Sequence, residues 1–159
     1  MDYLWTPWRY AYVSGTHKTE GCIFCDAIAA NDDANTLIVL RAERNFVILN
    51  RFPYTSGHVM VVPYAHAADL SAAEPETLGE MMHLAQRVQA ALGKIYHPEG
   101  YNVGMNLGRA AGAGIVGHLH LHVLPRWSGD SNFMTVIGET RVEPEELSTT
   151  YERLRRALV

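Results

Sequence analysis

The sequence predicts an α+β domain with a mainly antiparallel sheet, a long central helix and a C-terminal helix. Three observations predict it. Short runs of β-branched and apolar residues flank one long stripe of helical period. Turn residues join these runs, with no regular strand–helix alternation of the kind a parallel sheet requires. The chain has 159 residues and is 48% hydrophobic, enough for one domain with its own core and too apolar for a disordered chain. One domain over 1–159 is the expected organisation, with an aromatic N-terminal segment at 1–20 and a C-terminal extension at 128–159.

The elements follow in order. Trp5, Pro7, Trp8, Tyr10 and Tyr12 make the first segment too apolar for a free tail, and it is expected to pack on the body or on a second subunit. A short helix is expected over 22–30, strands over 36–40 and 45–50, a turn over 52–57 and a strand over 58–63. The long helix starts at a Ser71/Glu74 capping box or, alternatively, with Pro75 in its first turn. Leu78, Met81, Met82, Ala85, Val88, Leu92 and Ile95 form its apolar stripe, and Pro98 and Gly100 end it. Residues 101–107 alternate, with Asn102, Gly104 and Asn106 on one face. A Gly/Ala-rich stretch spans 108–117. Residues 118–124 alternate again and stop at Pro125. A last strand over 133–137 and a helix over 144–158 complete the chain. No internal repeat or low-complexity segment is visible.

Charge narrows the function classes. The net charge of −4 argues against general nucleic-acid binding but leaves small phosphate ligands open. No apolar run reaches bilayer length, and the start lacks a cationic stretch followed by a hydrophobic one. The expectation is a cytoplasmic protein without a membrane partner. The two cysteines, Cys22 and Cys25, form one C-x-x-C, which in a reducing compartment reads as metal binding or redox chemistry.

The informative segment is Gly117-His118-Leu119-His120-Leu121-His122-Val123-Leu124-Pro125. A strand has period two, so the three histidines share one face and Leu119, Leu121 and Val123 take the other. Three imidazoles in a row on a rigid element can bind metal, supply a nucleophile and an acid, or hold phosphate oxygens. A purification tag would sit at a terminus and would not alternate with leucine. The bland alternative is a row of surface histidines on a half-exposed strand.

This segment resembles the histidine triad signature. The resemblance extends through Leu4-Trp5-Thr6-Pro7-Trp8-Arg9, through Gly57-His58-Val59-Met60-Val61-Val62-Pro63-Tyr64, and through Pro125-Arg126-Trp127 with Gly129-Asp130 and Asn132-Phe133. These segments are similar to the bacterial diadenosine tetraphosphate phosphorylase branch of the family. The resemblance implies the histidine triad (HIT) fold and transfer at the α-phosphate of a dinucleoside polyphosphate. It makes His120 the nucleophile that forms a nucleotidyl-histidine. A neutral imidazole is competent for this near neutral pH, since its ordinary pKa is about 6.5. His122 is then the hydrogen-bond partner of the phosphate or leaving oxygen, and His58 a supporting histidine. His118, His120, His122 and His58 are the expected catalytic set.

Asn50, Asn106, Gly112, Ala113, Gly114 and Trp127 are the expected substrate contacts. Small residues in the 108–117 loop let backbone N–H groups approach phosphate oxygens. Relatives with a Ser or Gln in this loop have a side chain to handle the leaving group, and Ala113 and Gly114 offer none. Many phosphorylases and uridylyltransferases have glutamine at the position of His122, so that residue does not decide between phosphate and water as acceptor. Trp127 stacks on a base or packs in the core. Arg126 or Arg109 could charge-balance a second anion, inorganic phosphate. The family also implies a homodimer.

A structural zinc wants four ligands, and the C-x-x-C supplies two. His66, His118 and, if the N-terminal loop folds back, His17 are further donors. The resemblance implies the set Cys22, Cys25, His66 and His118, around a structural Zn2+. Free thiols and a redox pair are the alternatives, the second disfavoured because no β-α-β pattern surrounds the cysteines. Two rival functions stand beside the first: a nucleoside phosphoramidate or other nucleotide-conjugate hydrolase, and a non-catalytic, zinc-stabilised nucleotide-binding module.

Overall fold

The computed structural model describes residues 21–130 and 145–159. Helix α1 is Ile23–Ala30 and helix α2 is Asp33–Thr36. Strands β1 (Ile38–Arg41), β2 (Asn45–Leu49) and β3 (Val59–Pro63) follow. Helix α3 is Pro75–Tyr96, strand β4 is Gly100–Gly104, strand β5 is Leu121–Arg126 and helix α4 is Leu147–Leu158. The strands form one antiparallel sheet in the order β1-β2-β3-β5-β4. This is the α+β architecture read from the sequence. The strand expected at 133–137, the aromatic segment and His17 lie outside the described residues.

The sheet is covered on both faces. Val47, Leu49, Val59, Val61, Leu121 and Val123 pack against Met81, Leu84, Val88 and Leu92 of α3 and Leu154 of α4. Phe46, Ile48, Met60 and Val62 point the other way and pack on Phe24 of α1. Double coverage explains why β2 and β3 read as continuous apolar runs and are buried at every position. At eight residues, α1 is too short to persist alone. Burying a ring such as Phe24 contributes about 2 kcal/mol, which tertiary packing must supply.

Two local expectations change. Helix α3 begins at Pro75 with Glu74 at its N-cap and no side-chain cap bond, so the proline start holds and the capping box does not form. Asp69 instead caps a short 3-10 turn by accepting from the N–H groups of Ser71 and Ala72. Met82 is 57% exposed, while Leu84 and Ala91 are buried, because the face is centred between Met81, Leu84 and Val88. The turn of the β1–β2 hairpin is held by Glu80 of α3. Its carboxylate accepts from Asn45 Nδ2 at 2.7 Å and from the N–H groups of Arg44 at 2.9 Å and Glu43 at 3.1 Å. Burial alone would raise the Glu80 pKa, but these hydrogen bonds outweigh it and hold the carboxyl below its ordinary value. Among the described residues no helix is long and apolar enough to cross a membrane.

Candidate active site and metal centre

The site lies on the sheet face that α1 covers. Ladder pairing sets β5 between β3 and β4, with His122 opposite Met60 on one side and Gly104 on the other. His118 and His120 precede the regular strand but keep its alternation. Leu119, Leu121 and Val123 are buried toward α3 as expected. The histidine face is not half-exposed: His118 is 1% and His120 5% exposed. Phe24 is the reason, its ring centroid lying 5.3 Å from each of these two imidazoles.

The partners of each ring set its tautomer, because a carbonyl only accepts and an amide N–H only donates. His118 Nε2–H donates to the Pro63 carbonyl at 2.9 Å, which leaves Nδ1 as a lone pair. His120 Nδ1–H donates to the His118 carbonyl at 2.8 Å, which leaves the Nε2 lone pair of His120. The His58 Nε2–His122 Nδ1 distance is 2.9 Å, and the rings of His120 and His122 meet edge-on at 4.9 Å. Burial pushes the pKa values of His118 and His120 below 6.5. Burial, and then the charge on His120, takes His122 down to about 4. At neutral pH these imidazoles are uncharged.

His58 is held by a constrained turn. Gly57 has φ +80°, and a Cβ there would lie 2.9 Å from Leu92 Cδ2. The Asn50 N–H donates to the His58 carbonyl at 3.0 Å and closes the β2–β3 hairpin. The Asn50 side chain reaches the same region: its Oδ1 accepts from the Phe52 N–H at 2.9 Å, and its Nδ2 lies 3.5 Å from His58 Nε2.

The other expected contacts are placed less uniformly. Asn106 is half-buried just beyond β4. Gly112, at φ +84°, donates its N–H to the Arg109 carbonyl at 2.9 Å, and the Ala113 N–H donates to the Gly108 carbonyl at 3.3 Å. Those two amides stabilise the loop itself, and Gly114 takes part in neither bond. The Trp127 ring packs edge-on against Tyr96 of α3 at 6.5 Å, following the core parity of Leu121, Val123 and Pro125. The Arg126 guanidinium donates to both oxygens of Asp130 and to Asn102 Oδ1. That hydrogen-bonded pair raises the Arg126 pKa, and with Asn102 it engages all three nitrogens of the guanidinium. Sequence reading passed over two rings at the site. Phe24 was visible only as the apolar residue inside the C-x-x-C. Tyr54, whose ring lies 4.8 Å from His58, read as an ordinary turn residue.

A second cluster adjoins the first. The ligand atoms of Cys22, Cys25, His66 and His118 all lie within 4.8 Å of one another. Cys22 Sγ is 3.2 Å from His118 Nδ1, and Cys25 Sγ is 3.3 Å from His66 Nδ1. Two soft thiols and two imidazole nitrogens form a candidate metal site, and His118 presents to it the nitrogen that Pro63 leaves unprotonated.

Comparison with known proteins identifies the family. The HIT domain family model matches residues 31–129. The chain is 36% identical to the AP-4-A phosphorylase of Mycobacterium tuberculosis over 94% of its length and 80% of that protein. It is 28% identical to the adenosine 5'-monophosphoramidase of Schizosaccharomyces pombe, covering 84% of this chain and 95% of that one. The crystal structure of a Zn-bound histidine triad family protein from Mycobacterium smegmatis superposes with a TM-score of 0.71 at 34% identity, over 87% of this chain and 93% of the other. On the family match and the fold together, this chain belongs to the HIT family.

Proposed function

We propose that this protein is a nucleotidyl transferase that acts at the α-phosphate of dinucleoside polyphosphates through a nucleotidyl-His120 intermediate, with inorganic phosphate as the acceptor. One observation carries the reading. His120 donates its Nδ1 proton to the His118 carbonyl, so its Nε2 lone pair is available as a nucleophile beside His122 and His58. The similarity to an AP-4-A phosphorylase over 94% of the chain favours a diadenosine tetraphosphate-type substrate and phosphate over water.

In the first half-reaction the Nε2 lone pair attacks the α-phosphorus and the bond to the bridging oxygen breaks, its electrons leaving with the nucleoside triphosphate. In the second, an oxygen of phosphate attacks the same phosphorus and the pair returns to Nε2, releasing a nucleoside diphosphate. Asn50, Asn106 and the loop at 112–114 are the proposed contacts to ribose and phosphate, with the Gly114 N–H as the proposed backbone donor because the Gly112 and Ala113 N–H groups are used within the loop. Arg109, exposed at the loop, is the better candidate for the second anion, since Arg126 is engaged by Asp130.

Cys22, Cys25, His66 and His118 fit a zinc ion held in a closed Cys2His2 set. Bound there, zinc would supply a cross-link between α1 and the histidine strand and no open coordination position. A homodimer is also part of the proposal, supported by β4 at the sheet edge with Val103 48% exposed.

The test is turnover of diadenosine tetraphosphate with and without inorganic phosphate, with products separated by chromatography. The expected products with phosphate are nucleoside triphosphate plus diphosphate. Triphosphate plus monophosphate in both buffers would make the acceptor water.

A further inference from the structure

The chain has two cysteines, so within one molecule Cys22 and Cys25 can pair only with each other. Cys22 is the N-cap of α1, extended at φ −108° and ψ 117°, and Cys25 stands in the first helical turn. Their Sγ atoms lie within 4.8 Å of each other, and residues three apart on a helical turn stand within the span a disulfide bridges. Both thiols are half-buried, and Ile23, Asp26 and His66 around them are exposed. A small solute therefore reaches the sulfurs from solvent. Phe24, between the two cysteines, is 1% exposed and packs on His118 and His120 at 5.3 Å. It is the one fully buried side chain of α1, a helix of eight residues with no side-chain cap bond. The cysteine cluster is thus the second fastening of a helix too short to persist alone.

We propose that this thiol pair is a peroxide-sensitive latch: oxidation to a Cys22–Cys25 disulfide dismantles the four-donor cluster and frees α1, with Phe24, from the His118–His120 row. The inference rests on the metal centre proposed above and not on the nucleotidyl chemistry. In the first step one thiolate attacks an oxygen of hydrogen peroxide, the O–O bond breaks, and hydroxide leaves a sulfenic acid behind. In the second, the other thiolate attacks the sulfenic sulfur, the S–S bond forms, and a second hydroxide leaves. Two solvent protons turn both hydroxides into water. The two sulfurs give up two electrons and one peroxide takes them, with no change in the charge of a bound zinc. A disulfide sulfur is no thiolate ligand, so His66 and His118 remain as two of the four donors that a closed zinc site needs. What then holds α1 is the packing of Phe24, with Ala27 and Ile28 partly buried. His118 keeps its bond to the Pro63 carbonyl, and His120 keeps its bond to the His118 carbonyl. The latch therefore uncovers the row without dismantling it, and a thiol reductant closes it again.

The experiment treats zinc-loaded protein, freed of reductant, with hydrogen peroxide. A chromophoric chelator reads zinc release, peptide mass mapping reads the cysteines, and amide hydrogen exchange reads α1. Expected are about one zinc released per chain and a Cys22–Cys25 disulfide. Exchange over 22–30 should speed up by about tenfold or more while β2, β3 and β5 stay protected. Dithiothreitol with added zinc should restore all three. In C25S the remaining thiol has no resolving partner, so peroxide should carry Cys22 to a sulfinic or sulfonic acid that dithiothreitol does not reverse. Zinc retained after oxidation, both thiols left free, or unchanged exchange beside a formed disulfide would each overturn the latch. Wild-type protein without zinc before treatment would defeat the metal centre, and the latch with it. These readings need no nucleotide, so a failure to turn over diadenosine tetraphosphate would defeat the proposed function alone.

Discussion

Cys22 Sγ lies 3.2 Å from His118 Nδ1, across 96 positions of sequence, and the carbonyl of that same His118 accepts the Nδ1–H of His120 at 2.8 Å. One residue therefore faces the cysteine cluster with its ring and holds the proposed nucleophile with its backbone. Phe24, inside the C-x-x-C, completes the link by packing on both imidazoles. Helix α1 brings the thiols and this ring to the strand together, so whatever secures α1 also shapes the His120 environment.

Metal content and stability should fall together. Cys22→Ser is expected to lower a stoichiometry of about one zinc per chain, and to cost on the order of 3 kcal/mol, roughly 10 °C in Tm for a domain of this size. Elemental analysis of protein purified without chelator, paired with calorimetry, checks both. A metal-free wild-type protein of unchanged stability would remove zinc from the reading.

His120→Ala should fold and still bind nucleotide, because Asn50, Asn106 and the loop backbone are intact. Its kcat on diadenosine tetraphosphate should drop by about a thousandfold or more, since the covalent route is gone. Near-native turnover would place the nucleophile elsewhere.

Gly57→Ala should destabilise the protein by about 1–3 kcal/mol. The residue has φ +80°, and the added Cβ would lie 2.9 Å from Leu92 Cδ2 and 3.3 Å from Pro125. Because the turn carries His58, activity should fall as well. Urea unfolding and a kinetic assay on the folded fraction separate the two effects. Unchanged midpoint and unchanged kcat would contradict the strain argument.

Acid should weaken the fold through His122. Its pKa is depressed from 6.5 to about 4 in the native state, by burial and then by His120. The unfolded chain therefore binds this proton first. The contribution is fully present above about pH 6.5 and is lost progressively as pH falls toward 4. His58, His120 and Tyr54 are the groups that face it. Urea midpoints measured from pH 7 to pH 4 should slope downward in the wild type and less so in H122Q. Parallel curves would show that His122 does not contribute.

Much of the fold was legible in the residues. The α3 stripe, the apolar runs of β2 and β3, and the stop at Pro98 specify elements whose periods are local properties, whereas Pro125, read as a strand stop, sits inside β5 paired with Tyr101, and the strand runs on to Arg126. The alternation of His118, His120 and His122 with Leu119, Leu121 and Val123 fixed which side chains share a face, because a strand has period two whatever surrounds it. What covers that face was not local. Phe24 reaches the triad only because α1 folds back over the sheet, and Tyr54 stacks on His58 only because Gly57 turns the chain. Trp127 continued the strand parity toward the core, one of its two readings from the sequence, but its partner there, Tyr96 of α3, was not a local property. Arg126 was read as an available cation, but Asp130, four residues on, and Asn102, brought alongside when β4 and β5 paired, both accept from it. The sequence by itself determined the elements, the row of histidines and the family. The tertiary structure alone decided the ring proton of His118 and the meeting of His58 with His122, because the first depends on the Pro63 carbonyl 55 positions away and the second on the pairing of β3 with β5.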